Sequence, residues 1–188
     1  MTYQNLFPMH AMAKEAGRSL QFLNWARQQL NIQPYQHLLE VGYGTGQLME
    51  EVARALRIGF IAGIESSISL YQQAYRRNRR FVRQQLVQLH IGEPYELSYP
   101  PHYFHTVYGT NIHLSTKDIY SELLRLSGLL KSRGRLVLLL ETGRNRFNLH
   151  ETAALLQEAC RSSGLSRIST EAHPLNPDNY LAIIGFKA

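Results

Sequence analysis

Mostly apolar runs alternate with amphipathic stretches along this chain. The apolar runs predict buried strands at 37–41, 60–64, 86–91, 104–110 and 134–140. Leucine and alanine residues that recur every three or four positions predict helices at 12–30, 46–57, 67–84, 116–130 and 150–163. Near-continuous apolar strands separated by helices are typical of a parallel sheet that is covered on both faces.

The last two predicted strands need a different connection. They cover 166–173 and 179–186 and are joined by Pro174-Leu-Asn-Pro177, which is too short to cross over between parallel strands. We therefore expect a doubly wound α/β sheet of seven strands, mostly parallel, with one antiparallel strand near the C-terminus. Residues 1–188 are expected to form a single domain, with residues 1–30 as an N-terminal helical lid over a core of residues 31–188.

The single cysteine and the absence of a secretory signal pattern favour a protein of the reducing cytoplasm, and the net charge bears on its partners. The 188 residues carry 20 lysines and arginines against 14 acids, and this net charge of +6 permits an anionic partner without requiring one. No apolar run approaches the roughly 20 residues of a membrane span, and the N-terminus lacks the pattern of a secretory signal. The single cysteine, Cys160, lies among apolar residues and is expected to be a packed core thiol.

A glycine-rich turn after the first strand is the most informative motif. The segment His37-Leu-Leu-Glu-Val-Gly-Tyr-Gly-Thr-Gly46 leads from a strand into a helix, and each glycine allows a sharp bend or the close approach of a ligand. An acid before the turn, with no lysine or arginine in it, favours a cationic ligand, and the leading candidate is S-adenosylmethionine. A dinucleotide is the rival ligand, but its pattern needs a third glycine where Gln47 stands. The residues predicted to bind the cofactor here are Glu40, Gly42, Tyr43, Gly44, Thr45 and Gly46.

Further polar residues follow the second, third and fourth strands. Ligands of doubly wound sheets bind beyond the carboxyl ends of the strands, so these residues should meet the glycine turn in one crevice. Glu65, 19 residues after Gly46, is predicted to accept hydrogen bonds from two ribose hydroxyls, with a solvated helix-capping acid as the alternative. Glu93 is predicted to accept from an adenine amino group, with an ordinary turn acid as the alternative. The residues predicted at these strand ends are Glu65, Ser66, Gly92, Glu93, Pro94, Thr110 and Asn111.

Together these motifs resemble the class I S-adenosylmethionine-dependent methyltransferases. The likeness runs from about Leu30 to Leu140 and is greatest to the small-molecule branch that includes the ubiquinone and menaquinone biosynthesis-type enzymes. The resemblance implies a Rossmann-like fold. It also implies that Glu40 and the glycine turn hold the methionine part of the cofactor, Glu65 the ribose and Glu93 the adenine.

Two segments depart from the family pattern. The fourth strand begins Phe104-His105 where the family usually has Phe-Asp, and the turn before the fifth strand reads Ser132-Arg133-Gly134 in place of Pro-Gly-Gly. Because the family aspartate is mostly structural, the first departure bears on fine geometry more than on cofactor binding.

The resemblance implies methyl transfer to a small-molecule acceptor by in-line displacement. His113 is the candidate general base, which is needed only if the attacking atom carries a proton of high pKa. An RNA or protein acceptor is the alternative, because Arg76, Arg80 and Arg83 share one helix face. A cofactor-binding homologue without catalysis is a third possibility. The histidines show no spacing typical of zinc ligands, so no metal is expected.

Overall fold

The computed structural model describes residues 20–110, 119–141, 149–174, 176 and 180–188, and these contain seven strands and five α-helices. In chain order they are α1 (Leu20–Leu30), β1 (His37–Val41), α2 (Gln47–Ala55), β2 (Phe60–Glu65), α3 (Ile68–Arg83), β3 (Val87–Ile91), β4 (Phe104–Thr110), α4 (Ile119–Gly128), β5 (Leu130–Glu141), α5 (Leu149–Ser162), β6 (Leu165–Ala172) and β7 (Tyr180–Lys187). A short 3-10 helix, Pro94–Glu96, follows β3.

The seven strands form one sheet in the order β3-β2-β1-β4-β5-β7-β6. The first five strands of the chain pair in parallel, and β7 is antiparallel to both of its neighbours. This confirms the predicted doubly wound sheet with one antiparallel strand. The strand order reverses between β1 and β4, so the carboxyl ends of these two strands border the crevice where such sheets bind ligands.

Helices cover both faces of the sheet, and each face has its own apolar core. The helices α1, α2 and α3 pack on one face, where Phe22, Leu48 and Phe81 are buried with the side chains of β1 and β4. The helices α4 and α5 pack on the other face, around Phe104 and Leu123. Burial of side chains of this size contributes about 1.5–3 kcal/mol each, so both faces stabilise the strand ends that carry the polar residues.

The start of β5 differs from the prediction. The strand was expected at 134–140 but begins at Leu130, and its register to β4 shifts between Phe104 and Thr106. The shift accommodates Ser132-Arg133-Gly134: Arg133 has a φ of 61°, and a Cβ on Gly134 would stand 2.7 Å from the carbonyl oxygen of Lys131. The hydrophobic pattern of the sequence does not predict such a bulge, because the extra residues are polar.

The first helix is described from Leu20 onward, and residues 1–19 of the predicted lid lie outside the described residues. Within α1, Phe22 and Trp25 are buried and their rings lie 5.3 and 6.1 Å from the ring of Tyr180 on β7. Residues 20–30 therefore pack on the sheet as one of its covering helices. Closure of the segment over the site stays a prediction.

Candidate functional site

The glycine turn between β1 and α2 lies at the point where the strand order reverses. Gly42, Gly44 and Gly46 have φ values of 68°, 56° and 72°, in the left-handed region that is costly for residues with a Cβ. The amide of Gly42 donates to the carbonyl of Ile64 (2.8 Å), and that of Gly46 donates to the carbonyl of Tyr43 (3.0 Å). These bonds tie the turn to β2 and hold its backbone in one shape.

The side chain of Tyr43 lies beneath the turn. It is 1% exposed, and its ring occupies the space beside Gly63, where a Cβ would approach it to 2.6 Å. Its hydroxyl donates to the carbonyl of His90 on β3 (3.0 Å). Tyr43 therefore supports the turn from inside the fold, and its backbone forms part of the turn.

Glu65 connects the glycine turn to the start of α3. Its carboxylate is 5% exposed and accepts the amides of Gly44 (3.0 Å) and Ser67 (3.2 Å), one on each oxygen. The cap of α3 is Ser67, whose hydroxyl accepts the amide of Leu70 (3.3 Å). Glu65 is thus a buried group rather than a solvated cap. Charge-assisted bonds of this kind contribute roughly 1.5–3 kcal/mol each, so Glu65 fixes the position of the turn.

A second buried carboxylate precedes the turn. Glu40 is fully buried on β1 and accepts a hydrogen bond from the hydroxyl of Tyr108 on β4 (3.0 Å). Burial and the nearby charges of Glu65 and Glu40 raise the pKa of Tyr43 above its usual range, so that phenol stays protonated. Two carboxylates so close to one turn give this end of the sheet a negative potential that favours a cationic ligand.

Two residues of α3 hold the glycine turn from behind, and the sequence analysis missed both roles. The Nε of Arg77 donates to the carbonyl of Thr45 (3.1 Å), and the Nδ2 of Asn78 donates to the carbonyl of Gly46 (3.0 Å). Asn78 is fully buried, and a Cβ on Gly46 would stand 2.6 Å from its Nδ2. Gly46 is therefore required for the close approach of α3 as well as for its left-handed backbone.

The end of β3 lies next to Glu65. Gly92 has a φ of 137°, and its amide donates to the carbonyl of Glu65 (3.1 Å). Pro94 begins the 3-10 helix, and the carboxylate of Glu96 accepts the amide of Glu93 (2.6 Å). Glu96, which the sequence analysis did not single out, therefore lies at the same edge as the predicted adenine-binding acid.

A cavity of about 330 Å³ opens beside β2 and β3. This volume is at the lower end of the range of about 300–1,000 Å³ that ligand pockets occupy. Its walls combine apolar side chains with a few polar groups, and include Ile64, His90, Ile91, Glu96, Leu97 and Tyr99. Ile64 directly precedes Glu65, and Ile91 is paired with Glu65 in the sheet. The cavity therefore adjoins the residue that holds the glycine turn.

The hydroxyl of Thr110 is a buried polar group at the end of β4. Thr110 is 1% exposed, and its Oγ1 has no hydrogen-bond partner in the part of the chain that the structure describes. A buried hydroxyl left unpaired costs about 1–3 kcal/mol, which a ligand with a complementary group would recover. Ser66 is exposed beside Glu65. The other two predicted residues of this edge, Asn111 and His113, lie outside the described residues.

His105 lies at the opposite end of the sheet from the glycine turn. Its Nδ1 accepts the amide of His37 (3.0 Å), and its Nε2 lies 3.2 Å from the Nζ of Lys131. Burial lowers the pKa of His105, and the charge of Lys131 lowers it further. His105, at the position of the first departure, therefore makes its contacts at the amino ends of β1 and β4, at the opposite end of the sheet from the glycine turn.

The described residues show neither a reactive thiol nor a cluster of metal ligands. The thiol of Cys160 is fully buried in the core, and burial raises its pKa to about 12, as expected of a packed thiol rather than a nucleophile. Among the residues that the structure describes, no histidines, cysteines and acids cluster as metal ligands would. None of the described helices is both long and apolar enough to span a bilayer.

The groups at this edge fit the cofactor that the sequence suggests. The carboxylates of Glu40 and Glu65 suit its positive charges and its ribose hydroxyls, and the hydroxyl of Thr110 offers an unused donor and acceptor. The cavity beside β3 is large enough to take a planar ring, and its walls include the apolar side chains of Ile64, Ile91 and Leu97. The turn from Gly42 to Gly46, which the structure describes in full, contains no lysine or arginine. The nearby Arg77 binds the carbonyl of Thr45 from the α3 side and so brings no positive charge into the crevice.

Many solved structures have the same fold. By contrast, no protein-family profile and no curated protein matches the sequence of the chain. An S-adenosylmethionine-dependent methyltransferase from Aquifex aeolicus superposes with a TM-score of 0.77 over 95% of this chain and 97% of its own, at 12% identity. Geranyl diphosphate C-methyltransferase from Streptomyces coelicolor superposes with a TM-score of 0.69 over 88% of this chain and 78% of its own, at 13% identity.

A third similar structure is a cyclase, SpnF, with a TM-score of 0.71 over 88% of this chain and 80% of its own, at 17% identity. At identities this low, the superpositions show the architecture alone and leave the reaction open. The chain has the class I fold of the S-adenosylmethionine-dependent methyltransferases.

Proposed function

We propose that this protein is an S-adenosylmethionine-dependent methyltransferase of the cytoplasm that acts on a small-molecule acceptor. The observation that carries the proposal is the bond between the buried Glu65 carboxylate and the amide of Gly44, at the reversal of the strand order. This bond places an acid and a glycine turn within one ligand-sized region, as the fold and the proposed cofactor require.

Each part of the cofactor has a proposed partner. The methionine part would lie against the glycine turn near Glu40, and the ribose hydroxyls would reach Glu65 and Ser66. The adenine would enter the cavity beside β3, flanked by Ile91 and the Gly92-Glu93-Pro94 segment. Thr110 and Asn111 would face the reacting end from β4.

The bound cofactor would supply a methyl group already activated on a sulfonium. The protein's task is then to orient the acceptor in line with that group and to exclude water, and correct placement contributes most of the rate enhancement. The buried carboxylates and the apolar strand ends serve both purposes. His113 is proposed to accept a proton where the acceptor atom carries one of high pKa.

A small acceptor is favoured by the similarity to geranyl diphosphate C-methyltransferase. The protein is proposed to work as a single domain, with its N-terminal segment closing over the crevice. The similarity to a cyclase shows that the fold also serves other reactions. Binding of S-adenosylmethionine without turnover over a broad panel of acceptors would favour the cofactor-binding homologue instead.

The unpaired hydroxyl of Thr110 gives a sharp test. We expect Thr110→Val to retain its stability, because no hydrogen bond within the described structure is lost, but to bind S-adenosylhomocysteine about tenfold more weakly. The matched control is Thr106→Val on the same strand, where Oγ1 accepts from the Nε of Arg135 (3.5 Å). The control should lose stability and keep its affinity.

The reaction itself is tested with S-adenosylmethionine labelled on the methyl group, offered with panels of phenols, prenyl compounds and RNA. Label transferred to a small molecule supports the proposal, and label found only in RNA or protein rejects the proposed acceptor class. Equal affinity of the wild type and Thr110→Val for S-adenosylhomocysteine would reject the role of Thr110.

A further inference from the structure

The outward face of α3 carries four arginines that the proposed methyl transfer does not use. They are three or four residues apart and exposed: Arg76, Arg79, Arg80 and Arg83. Residues at this spacing are neighbours on a helix surface, about 5–6 Å apart at Cβ. From first to last the row extends about 10 Å along the helix axis. The four arginines therefore share one exposed side of α3, the arginine face, on which the guanidinium of Arg80 also lies over the ring of Phe81, 4.3 Å from its centroid.

Within the described parts of the chain, no acid pairs with the arginine face. The helix α3 contains no aspartate or glutamate, and among the described residues none of its four outward arginines forms an ion pair. Arg77 is different, because it is turned toward Glu50 (3.5 Å) and the glycine turn. The uncompensated positive charge is therefore confined to the side of α3 that faces solvent.

Two aromatic rings border the arginine face. Tyr71 and Tyr75 are stacked, with ring centroids 6.2 Å apart and planes inclined by 28°. Tyr75 is exposed and lies one helical turn before Arg79. Aromatic rings beside a cationic groove provide stacking surfaces for the bases of a single strand, while the cations neutralise its phosphates.

We propose that the arginine face and Tyr75 bind single-stranded nucleic acid through its phosphodiester backbone. Arginine suits this partner, because its planar guanidinium binds phosphate oxygens in a bidentate manner, and α3 has no lysine. A row of about 10 Å spans two or three consecutive phosphates of a strand.

The buried side of α3 argues against a lipid surface. A helix that lies on a membrane must insert a continuous apolar face, whereas Leu70, Ala74 and Phe81 of α3 are buried in the fold. The large apolar or aromatic residues of α3 that are exposed are Ile68, at the start of the helix, and Tyr75. The outward side holds Gln72 and Gln73 among the arginines. An anionic polymer in solution is therefore the better match for this face.

The inference is independent of the proposed methyl transfer, because the strand needs neither cofactor nor acceptor in order to bind. The arginine face lies on the opposite side of α3 from Asn78, which contacts the glycine turn. Loss of cofactor binding would leave nucleic-acid binding intact, and the reverse also holds.

The test measures binding of a fluorescent single-stranded oligouridine to the full chain at several salt concentrations. The quadruple variant Arg76→Gln, Arg79→Gln, Arg80→Gln and Arg83→Gln is compared with a matched control that removes four exposed arginines elsewhere: Arg27, Arg57, Arg161 and Arg167. Each phosphate contact contributes about 0.7 to the slope of log affinity against log salt, and the arginine face spans two or three phosphates, so the α3 variant should lose about 1.4–2 from that slope. The control should retain most of its slope.

Stacking is tested with Tyr75→Ala, which should bind the oligouridine about tenfold more weakly. The control is Tyr35→Ala, which removes an exposed tyrosine outside α3 and should bind as the wild type does. The proposal is overturned if the wild type does not bind the oligouridine at about 50 mM salt, or if both quadruple variants weaken binding equally. It is also overturned if phosphatidylserine vesicles or polyglutamate bind the arginine face more tightly than the oligonucleotide does.

Discussion

Asn78 is expected to be a positioning residue for the glycine turn, and its substitution by aspartate and by alanine separates this role from simple packing. The side chain is fully buried, and its Nδ2 donates to the carbonyls of Gly46 and Ala74, each at 3.0 Å. Neither carbonyl is orphaned when the amide is removed: that of Gly46 also accepts the amide of Glu50 (3.0 Å), and that of Ala74 lies inside α3.

The magnitude follows from those contacts. Asn78→Ala loses two hydrogen bonds worth about 0.5–1.5 kcal/mol each and leaves a small void, so the free energy of unfolding should fall by about 1–3 kcal/mol. Asn78→Asp keeps the volume but replaces a donor with a buried carboxylate that faces two carbonyl oxygens. Its cost should exceed that of alanine.

The assay is urea denaturation of both variants, with Gln72→Ala on the exposed side of α3 as the control, followed by calorimetry with S-adenosylhomocysteine at a temperature where all are folded. We expect stability to rank wild type and control first, then alanine, then aspartate, and affinity to fall in both Asn78 variants. If aspartate were tolerated better than alanine, the side chain would matter for its volume alone, and the positioning role would be refuted.

Three further outcomes are expected. Gly63→Ala should lower the free energy of unfolding by about 1–3 kcal/mol in urea, because the new Cβ would stand 2.2 Å from Met49 Cε and 2.6 Å from the Tyr43 ring; a neutral effect would show that the ring is free to move. Burial lowers the pKa of His105 below 6.5, so the unfolded chain takes up a proton first and the melting temperature should fall as the pH drops below about 6.5. Burial also lowers the pKa values of His37 and His90, which act in the same direction, so His105→Asn should remove part of that dependence; an unchanged profile would assign it to those two residues. Cys160, with its pKa raised to about 12, should resist iodoacetamide at pH 8 until the protein is denatured, and rapid labelling of the native chain would contradict its burial.

Much of the fold follows from local sequence pattern. The order and type of the described elements were predicted because apolar runs and helical periodicity are carried by neighbouring residues. One antiparallel strand near the C-terminus was predicted from the short link between the last two strands, and the strand pairing shows that it is β7. The early start of β5 was not, because Ser132-Arg133-Gly134 is polar and its bulge depends on pairing with β4.

The candidate site was predictable where a residue type has a backbone requirement. Glycines at 42, 44 and 46 predict a sharp turn, and they have left-handed backbone angles in the structure. Glu65, the acid at the end of β2, was predicted from its spacing to the turn. Long-range contacts are not encoded this way. The bond from Asn78 to Gly46 joins residues 32 apart, and it depends on how closely α3 crosses α2. The unpaired hydroxyl of Thr110 is likewise visible only once neighbouring atoms are placed.

The central claim of the proposal is that Glu65 holds the ribose of S-adenosylmethionine while the glycine turn holds its methionine part. Titration calorimetry of S-adenosylhomocysteine into the wild type, Glu65→Gln and the control Glu51→Gln, which changes a partly exposed acid on α2, tests it most directly. We predict saturable binding at one site in the wild type and control, and a loss of at least about tenfold, or about 1.4 kcal/mol, in Glu65→Gln. Absence of saturable heat in the wild type, or equal affinities in the two variants, would contradict the claim.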